Sequence, residues 1–386
     1  MKLTGVRVLD LSQFLPGPHL TMTMADHGAD VIMIEPPGGE PARELGARTK
    51  DGVTVWFRNI ARGKRSVTLD LKSETGREAF LKLAENADVI VEAFRPGVAG
   101  RLGVDYETLA ARTPHIIYCA ITAFGQTGPY RDKPAHDLAV QALAGTGDLA
   151  RGLNDNKPTQ PNIVAADMAA SLTALSAILM ALYAREKSGR GEYIDIAMYD
   201  ALLAWTPNVT APVFAQDRAP VAHEMRPTGG QAMNRLYETK DGGHIVLGGS
   251  EVKFAETLLR GLDRPDLLDV AKREPGEQQE LIDFFVDVFA TKTRGEWEAF
   301  LSPLDLCWAP LRNLKDAFGD AQTLARGMLL IDEGGNRHIG PAVKFSRDPA
   351  QADLRVPVRD TAIPLWRPRG LARSVRRDRR PRPSMR

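Results

Sequence analysis

The stretch from Val6 to Glu35, VRVLDLSQFLPGPHLTMTMADHGADVIMIE, reads in three pieces. VRVLDLS has the alternation of a strand, HLTMTMADHG the spacing of a helix, and DVIMIE is a second strand. The pattern then returns as TGREAFLKLAENA (helix) and DVIVEAF (strand), and again as YETLAARTP and HIIYCAITAFG. Helices alternating with strands in this way predict βαβ units around a mostly parallel sheet covered on both faces. The fold class is therefore α/β, with a large Rossmann-like domain. Ligands on open sheets of this kind collect at the carboxyl ends of the strands. The turn after the first strand, SQFLPGPHL, has one useful glycine, Gly17, and two prolines, so it lacks the GxGxxG of a dinucleotide site.

At 386 residues the chain predicts two domains, or one large domain with an insertion. Hydrophobic residues at 43% and charged residues at 26% are those of a soluble globular protein. MKLTGVRVLDLSQ goes straight into a strand pattern, without the basic start and apolar core of a signal peptide, and predicts a cytoplasmic protein. Cys119 and Cys307 stand in apolar settings without metal-ligand spacing, which predicts two buried free thiols and no metal site. From Arg367 to Arg386 nine arginines face one acid, Asp378. Such a tail could meet nucleic acid, but a poorly ordered, solvated terminus is the expectation for residues 369–386.

Further along, Met168–Tyr183 (MAASLTALSAILMALY) is apolar or small on every side, which predicts a buried helix; its Ser and Thr residues and short length speak against a membrane span. Periodicity is lost between Thr206 and Thr228. RLYETKDGGHIVLGG then predicts a hairpin turning at Asp241-Gly242-Gly243, followed by the helical runs VKFAETLLRGL and QQELIDFFVDVFAT. The expected organisation is a large domain over 1–200 completed by about 335–368, linkers at 201–227 and 323–334, and a smaller α+β domain over 228–322.

Three places could carry chemistry. His136 and Asp137 stand side by side in KPAHDLAVQALAG, where a polar loop becomes an apolar helix, although any one of the chain's seven histidines is more often structural. Asp167, in NIVAADMAAS, stands where an aspartate would cap its own helix, and equally where backbone N–H groups could hold an anion or oxyanion. Glu251, in LGGSEVKFAE, has the ordinary reading of an acid at a helix start. ARGKRS (61–66) and FRPGV (94–98) offer cations for phosphate, although surface basic residues usually just solvate.

Taken in order, GADVIMIEPPGG, RGKRSVTLDLKS, ADVIVEAFRPGVAGRLGVDYE, ITAFGQTGPY, AADMAAS and SGRGEYIDIAMYDAL resemble the family III coenzyme A transferases, the CaiB/BaiF group that also contains α-methylacyl-CoA racemase. The resemblance runs from GVRVLDLS to about Pro368. It implies a large CoA-binding domain, a small domain, and an interlocked homodimer whose active site lies between one subunit's large domain and the other's small domain, so that monomers are inactive. It implies an acyl-CoA thioester as substrate and no tightly bound cofactor, membrane or nucleic acid.

Two chemistries share that scaffold. Transferases use an aspartate, matched here by Asp167, as a nucleophile that takes the acyl group as a mixed anhydride. Racemases move the proton α to the thioester carbonyl between two flanking acid/base groups. The racemase branch matches His136, Asp167 and Glu251, with backbone N–H groups at the helix start holding the enolate oxygen. Transferases more often carry tyrosine or phenylalanine at His136 and a glycine-rich loop at Glu251, and some carry glutamine where Leu15 stands. On these residues the expected activity is racemisation of a 2-methyl-branched acyl-CoA, with CoA transfer through Asp167 as the alternative and a non-enzymatic CoA-binding scaffold as a third reading. The family's arginine after the second strand is replaced by Pro36, so Arg95, Lys64 or Arg65 is expected to meet CoA, with Asp137 supporting the loop or the CoA chain.

Overall fold

The computed structural model describes residues 1–152 and 155–359; the basic tail at 369–386 lies outside the described residues. β1 (Arg7–Leu11) is buried from Val8 onward, as a near-continuous apolar strand in the middle of a parallel sheet must be. α1 (Pro16–Asp26) opens on Pro16, whose missing N–H costs nothing at a helix start. β2 (Asp30–Glu35) then pairs parallel with β1, placing Val8 opposite Val31 and Leu9 opposite Ile32.

The unit repeats through α2 (Val55–Ala61), β3 (Arg65–Thr68), α3 (Glu74–Ala84) and β4 (Val89–Glu92). α4 (Val98–Leu102) and α5 (Tyr106–Arg112) lead to β5 (Ile117–Thr122). Three helices, α6 (Asp137–Leu143), α7 (Thr146–Leu149) and α8 (Ala165–Ser188), precede β6 (Tyr193–Ala197). The six strands are all parallel in the order β3-β2-β1-β4-β5-β6, the doubly wound arrangement in which the chain reverses direction between β1 and β4.

Because side chains alternate along a strand, each strand feeds two cores. Val8, Val89, Val91 and Cys119 pack with α1 and α8 on one face, while Leu9, Ile32, Ile90 and Tyr118 pack with α3 and α5 on the other. Gly17 is fixed by the first of these contacts: a Cβ there would lie 2.1 Å from the Ser12 Oγ, so α1 approaches the β1 loop this closely only because residue 17 has no side chain.

α8 departs from the sequence expectation. It is longer than read, ending at Gly189 with φ +69, and it is not buried all round. Ala166, Ala169, Ala170, Ala174, Ile178 and Ala181 pack on the sheet, whereas Met180 and Tyr183 are 66% and 67% exposed. Its length and hydropathy would suffice to cross a membrane, but the alanine face is committed to the sheet core.

α9 (Met198–Leu203) and α10 (Ala211–Gln216) run through the expected 201–227 linker. At its start Ala201 and Leu202 bury against the sheet core. A separate core is built on the hairpin of β7 (Asn234–Glu238) and β8 (His244–Gly248), whose turn holds Asp241, Gly242 and Gly243 as read. α11 (Val252–Gly261), α12 (Leu268–Ala271), α13 (Gln279–Phe289) and α14 (Arg294–Leu301) cover it, and the edge strand β9 (Trp308–Pro310) closes the sheet. Trp297 is fully buried at its centre and donates Nε1–H to the Phe289 carbonyl at 2.8 Å.

Two short helices, α15 (Leu314–Gly319) and α16 (Ala321–Ala325), lead to the hairpin of β10 (Leu329–Ile331) and β11 (Arg337–Ile339), so the 323–334 linker also carries regular structure. The chain then returns to the first core: Gly63 N–H donates to the Arg355 carbonyl, and Val356 packs with Met33, Phe57 and Ile60. Cys119 is buried as expected, but Cys307 is exposed, because it precedes a three-residue edge strand.

Candidate active site

The reversal between β1 and β4 leaves a crevice beyond their carboxyl ends, where neighbouring loops part. A cavity of about 380 Å³ opens there, lined among others by Gln13, Phe14, Arg95, Lys133, His136 and Asp167. A second cavity of about 370 Å³ lies alongside, and Phe14, His136 and Asp167 line both. These three side chains form the wall the two cavities share.

Asp167 is in the first turn of α8 and does not cap it. The cap comes from α6: the Asp137 Oδ1 accepts the backbone N–H of Ala166 at 2.7 Å and of Asp167 at 3.1 Å, while Gln141 donates to its other oxygen at 2.6 Å. Ala165 N–H donates to the Ile163 carbonyl and Met168 N–H to that of Val164. The N–H groups of Ala165, Ala166 and Asp167 at the helix start are thus already bonded within the chain, where the sequence reading left them for an oxyanion. The Asp167 carboxyl, in turn, accepts no hydrogen bond from the described residues. Burial, reinforced by the neighbouring Asp137 charge, pushes it up to about 7.

His136 stands at the amino end of α6, and its ring meets Phe14 edge-on at 5.7 Å. Phe14 has φ +65, a left-handed backbone that a bulky residue adopts only when its surroundings enforce it. They do so here through a hydrogen bond at 2.9 Å from its N–H to the Glu40 Oε1. Glu40 is itself buried, and burial raises it to about 7 against the pull of the Phe14 and Ala42 N–H groups.

The expected CoA-contacting cations separate. Arg95 lines the first cavity and is exposed. Lys64 is fully buried, and its ammonium donates to Asp10 at 3.0 Å, Thr21 at 2.8 Å and the Pro18 carbonyl at 2.8 Å; with all three protons used it has none for a ligand. Arg65 opens β3 and pairs with Asp30 at the opposite, amino end of the sheet. Asp137 holds the start of α8 and is 7% exposed, which fits a loop support and leaves no oxygen for CoA. Glu251 is exposed at the amino end of α11 and lines neither cavity, so one chain does not bring it to His136 and Asp167.

Sequence reading passed over Arg131 and Lys133, which line the first cavity, and Trp56, which lines the second. The first two had a usable signal: they stand just before His136 in the loop that follows β5. Trp56 had none, since α2 lies far from the other site residues in the chain.

The family model of CoA-transferase family III matches residues 3–361. The chain is 31% identical over 359 residues to the succinyl-CoA:glutarate CoA-transferase of Mus musculus, covering 89% of this chain and 81% of the relative. It is 33% identical over 357 residues to the acetyl-CoA:oxalate CoA-transferase of Acetobacter aceti, covering 89% and 88%. Among solved structures, a CAIB/BAIF family protein from Brucella suis superposes with a TM-score of 0.81 at 30% identity, over 93% of this chain and 96% of that one. The Mus musculus and Acetobacter aceti relatives are named for CoA transfer, not racemisation. With its fold shared by a solved CAIB/BAIF protein and the family model matched over nearly its whole length, the chain is an enzyme that belongs to the family III CoA-transferases.

Proposed function

We propose that this enzyme moves CoA between an acyl-CoA and a carboxylic acid, with Asp167 as the nucleophile. The observation that carries the reading is a carboxyl with no hydrogen-bond partner among the described residues, held near neutrality between two cavities. It replaces racemisation as the first reading for two reasons. The relatives named above are transferases, and the N–H groups assigned to the enolate are already bonded.

The chemistry needs a carboxylate and conserves the thioester. Asp167 attacks the thioester carbonyl; the C–O bond forms, the C–S bond breaks, and CoA leaves as thiolate. The thiolate returns to the Asp167 carbonyl, releasing the first acid and leaving Asp167 as its CoA thioester. The incoming acid repeats these two steps in reverse. A poorly solvated carboxylate is the better nucleophile for this. In the cavity Arg95, Arg131 and Lys133 would face the CoA phosphates, with His136 and Phe14 fixing the passage to Asp167.

The test is purified protein with an acyl-CoA and a 13C-labelled acid, followed by NMR in D2O. The expected result is labelled acyl-CoA without prior exchange of the α-hydrogen. Exchange that needs no acceptor acid, with no label in the thioester, would restore the racemase.

The interlocked homodimer is part of this proposal. Met180 and Tyr183 on α8, Trp205, and Phe214 on α10 (83% exposed) leave large apolar surfaces that a second copy would cover. That copy would also bring Glu251 to the site. Replacing both Met180 and Tyr183 by Asp is expected to give monomers by sedimentation and to cut transfer at least 100-fold; a fully active wild-type monomer would defeat the idea. Free thiols at Cys119 and Cys307 fit a reducing, cytoplasmic setting.

A further inference from the structure

Asp167 faces two cavities of nearly equal size whose chemistry differs. The switch-point cavity has Arg95, Arg131 and Lys133 among its lining residues. The second is lined by Trp56, Leu138, Pro161, Ile163 and Val164 besides the shared residues, and among the described residues no lysine or arginine lines it. CoA carries phosphates, so its arm belongs with the cations; the acyl group on the far side of the thioester then points past Asp167 into the second cavity.

Charge decides what that acyl group can be. The second cavity already contains two carboxyl groups, Asp137 and Asp167. Asp137 has its oxygens committed to the α8 N–H groups and Gln141, so it offers a ligand only its charge. A dicarboxylic acid bound through one end would place its other carboxylate among these groups, with the neutral amides of Gln160 and Asn162 but no cation to meet it. A further carboxylate there meets the like charge of Asp137 with no cation to offset it. The residue that the proposed homodimer would add, Glu251, is also acidic. An alkyl or branched alkyl chain loses nothing there, and it gains from contact with Trp56, Leu138, Ile163 and Val164.

Building on the transferase reading, we infer that the second cavity selects apolar monocarboxylic acids, in contrast to the dicarboxylic acids in the names of the relatives above. Ile163 is the place to probe it: the residue is 72% exposed on the loop before α8, so a polar substitution there leaves the core intact.

With one acyl-CoA donor, kcat/KM is measured for butanoate, pentanoate and hexanoate and for the dicarboxylates of equal length, succinate, glutarate and adipate, in the wild type and in Ile163→Arg. The expected wild-type result is a preference of at least tenfold for the monocarboxylate of each pair, with kcat/KM along the monocarboxylate series rising by roughly fourfold per added methylene until the cavity is filled. In Ile163→Arg the preference is expected to shrink at least tenfold through faster dicarboxylate turnover. Wild-type turnover of dicarboxylates as fast as their monocarboxylate counterparts overturns the selectivity while leaving the transferase reading standing. Transfer to none of the six acids overturns both.

Discussion

Asp167→Asn is expected to lose at least a thousandfold in CoA transfer while gaining stability above neutral pH. The loss follows from the chemistry, since an amide cannot form the anhydride and the other carboxyls lining the cavities are engaged: Asp137 is bound to the helix it caps, and Asp132 is exposed and paired with Arg131 at 3.1 Å. The gain follows from proton linkage. In the folded protein Asp167 is held up to about 7, chiefly by burial, whereas in the unfolded chain it titrates near 3.8. Between those values the native state binds a proton that the unfolded state does not, so stability falls as pH rises through the window. Above about pH 7 the ionised, half-buried carboxylate is a standing cost, which asparagine removes. The variant should therefore unfold like the wild type at pH 4 and be more stable by about 2 kcal/mol at pH 8, read by urea denaturation.

A label separates this role from a merely structural one. When the incoming acid carries 18O in its carboxylate, its attack on the Asp167 thioester and the return of CoA to the acyl carbon leave one labelled oxygen on Asp167. Mass spectrometry of the peptide containing Asp167 after turnover should find it. Turnover without label in that peptide would remove Asp167 from the covalent pathway even if Asp167→Asn were inactive.

How far the sequence reaches can be judged from particular residues. The β1-α1-β2 unit is legible because its strands are apolar enough for burial on both faces, and each ends in a turn that local composition marks. α8 is legible as a helix but not in its surroundings: with apolar residues all round, nothing local says that the alanines meet the sheet and that Met180 and Tyr183 do not. The basic cluster around Lys64 and Arg65 misled for a related reason. Whether a lysine solvates, binds phosphate or is buried against an aspartate depends on Asp10, Thr21 and Pro18, all more than 40 residues away in sequence. Asp167 itself is legible from its place at the start of an apolar helix, and its role as nucleophile from the family resemblance. What that resemblance could not give was the cap on its helix, because the local rule assigns an aspartate in the first turn to its own helix and the structure assigns Asp137, 29 residues from Ala166.

That non-local cap sets up the last expectation, which concerns the pH at which the enzyme works. Asp137 does two things at once: it accepts the Ala166 and Asp167 N–H groups, and its charge helps to hold the Asp167 carboxyl up. If attack requires the Asp167 carboxylate, kcat/KM for the acyl-CoA should rise with unit slope in log–log form up to about pH 7 and then level. Asp137→Asn keeps an oxygen that can accept both N–H groups but removes the charge. The rising limb should then move down by roughly one pH unit and no further, because burial, the larger cause, is untouched. Asp137→Ala removes the acceptor as well, leaves two buried donors unmet, and should cost about 2 kcal/mol of stability and at least tenfold in rate as the start of α8 shifts. The two variants thus divide charge from geometry. A limb that stays near pH 7 in Asp137→Asn would mean that burial alone tunes the nucleophile; a limb that moves down would make the aspartate beside His136 the residue that keeps Asp167 partly protonated at neutral pH.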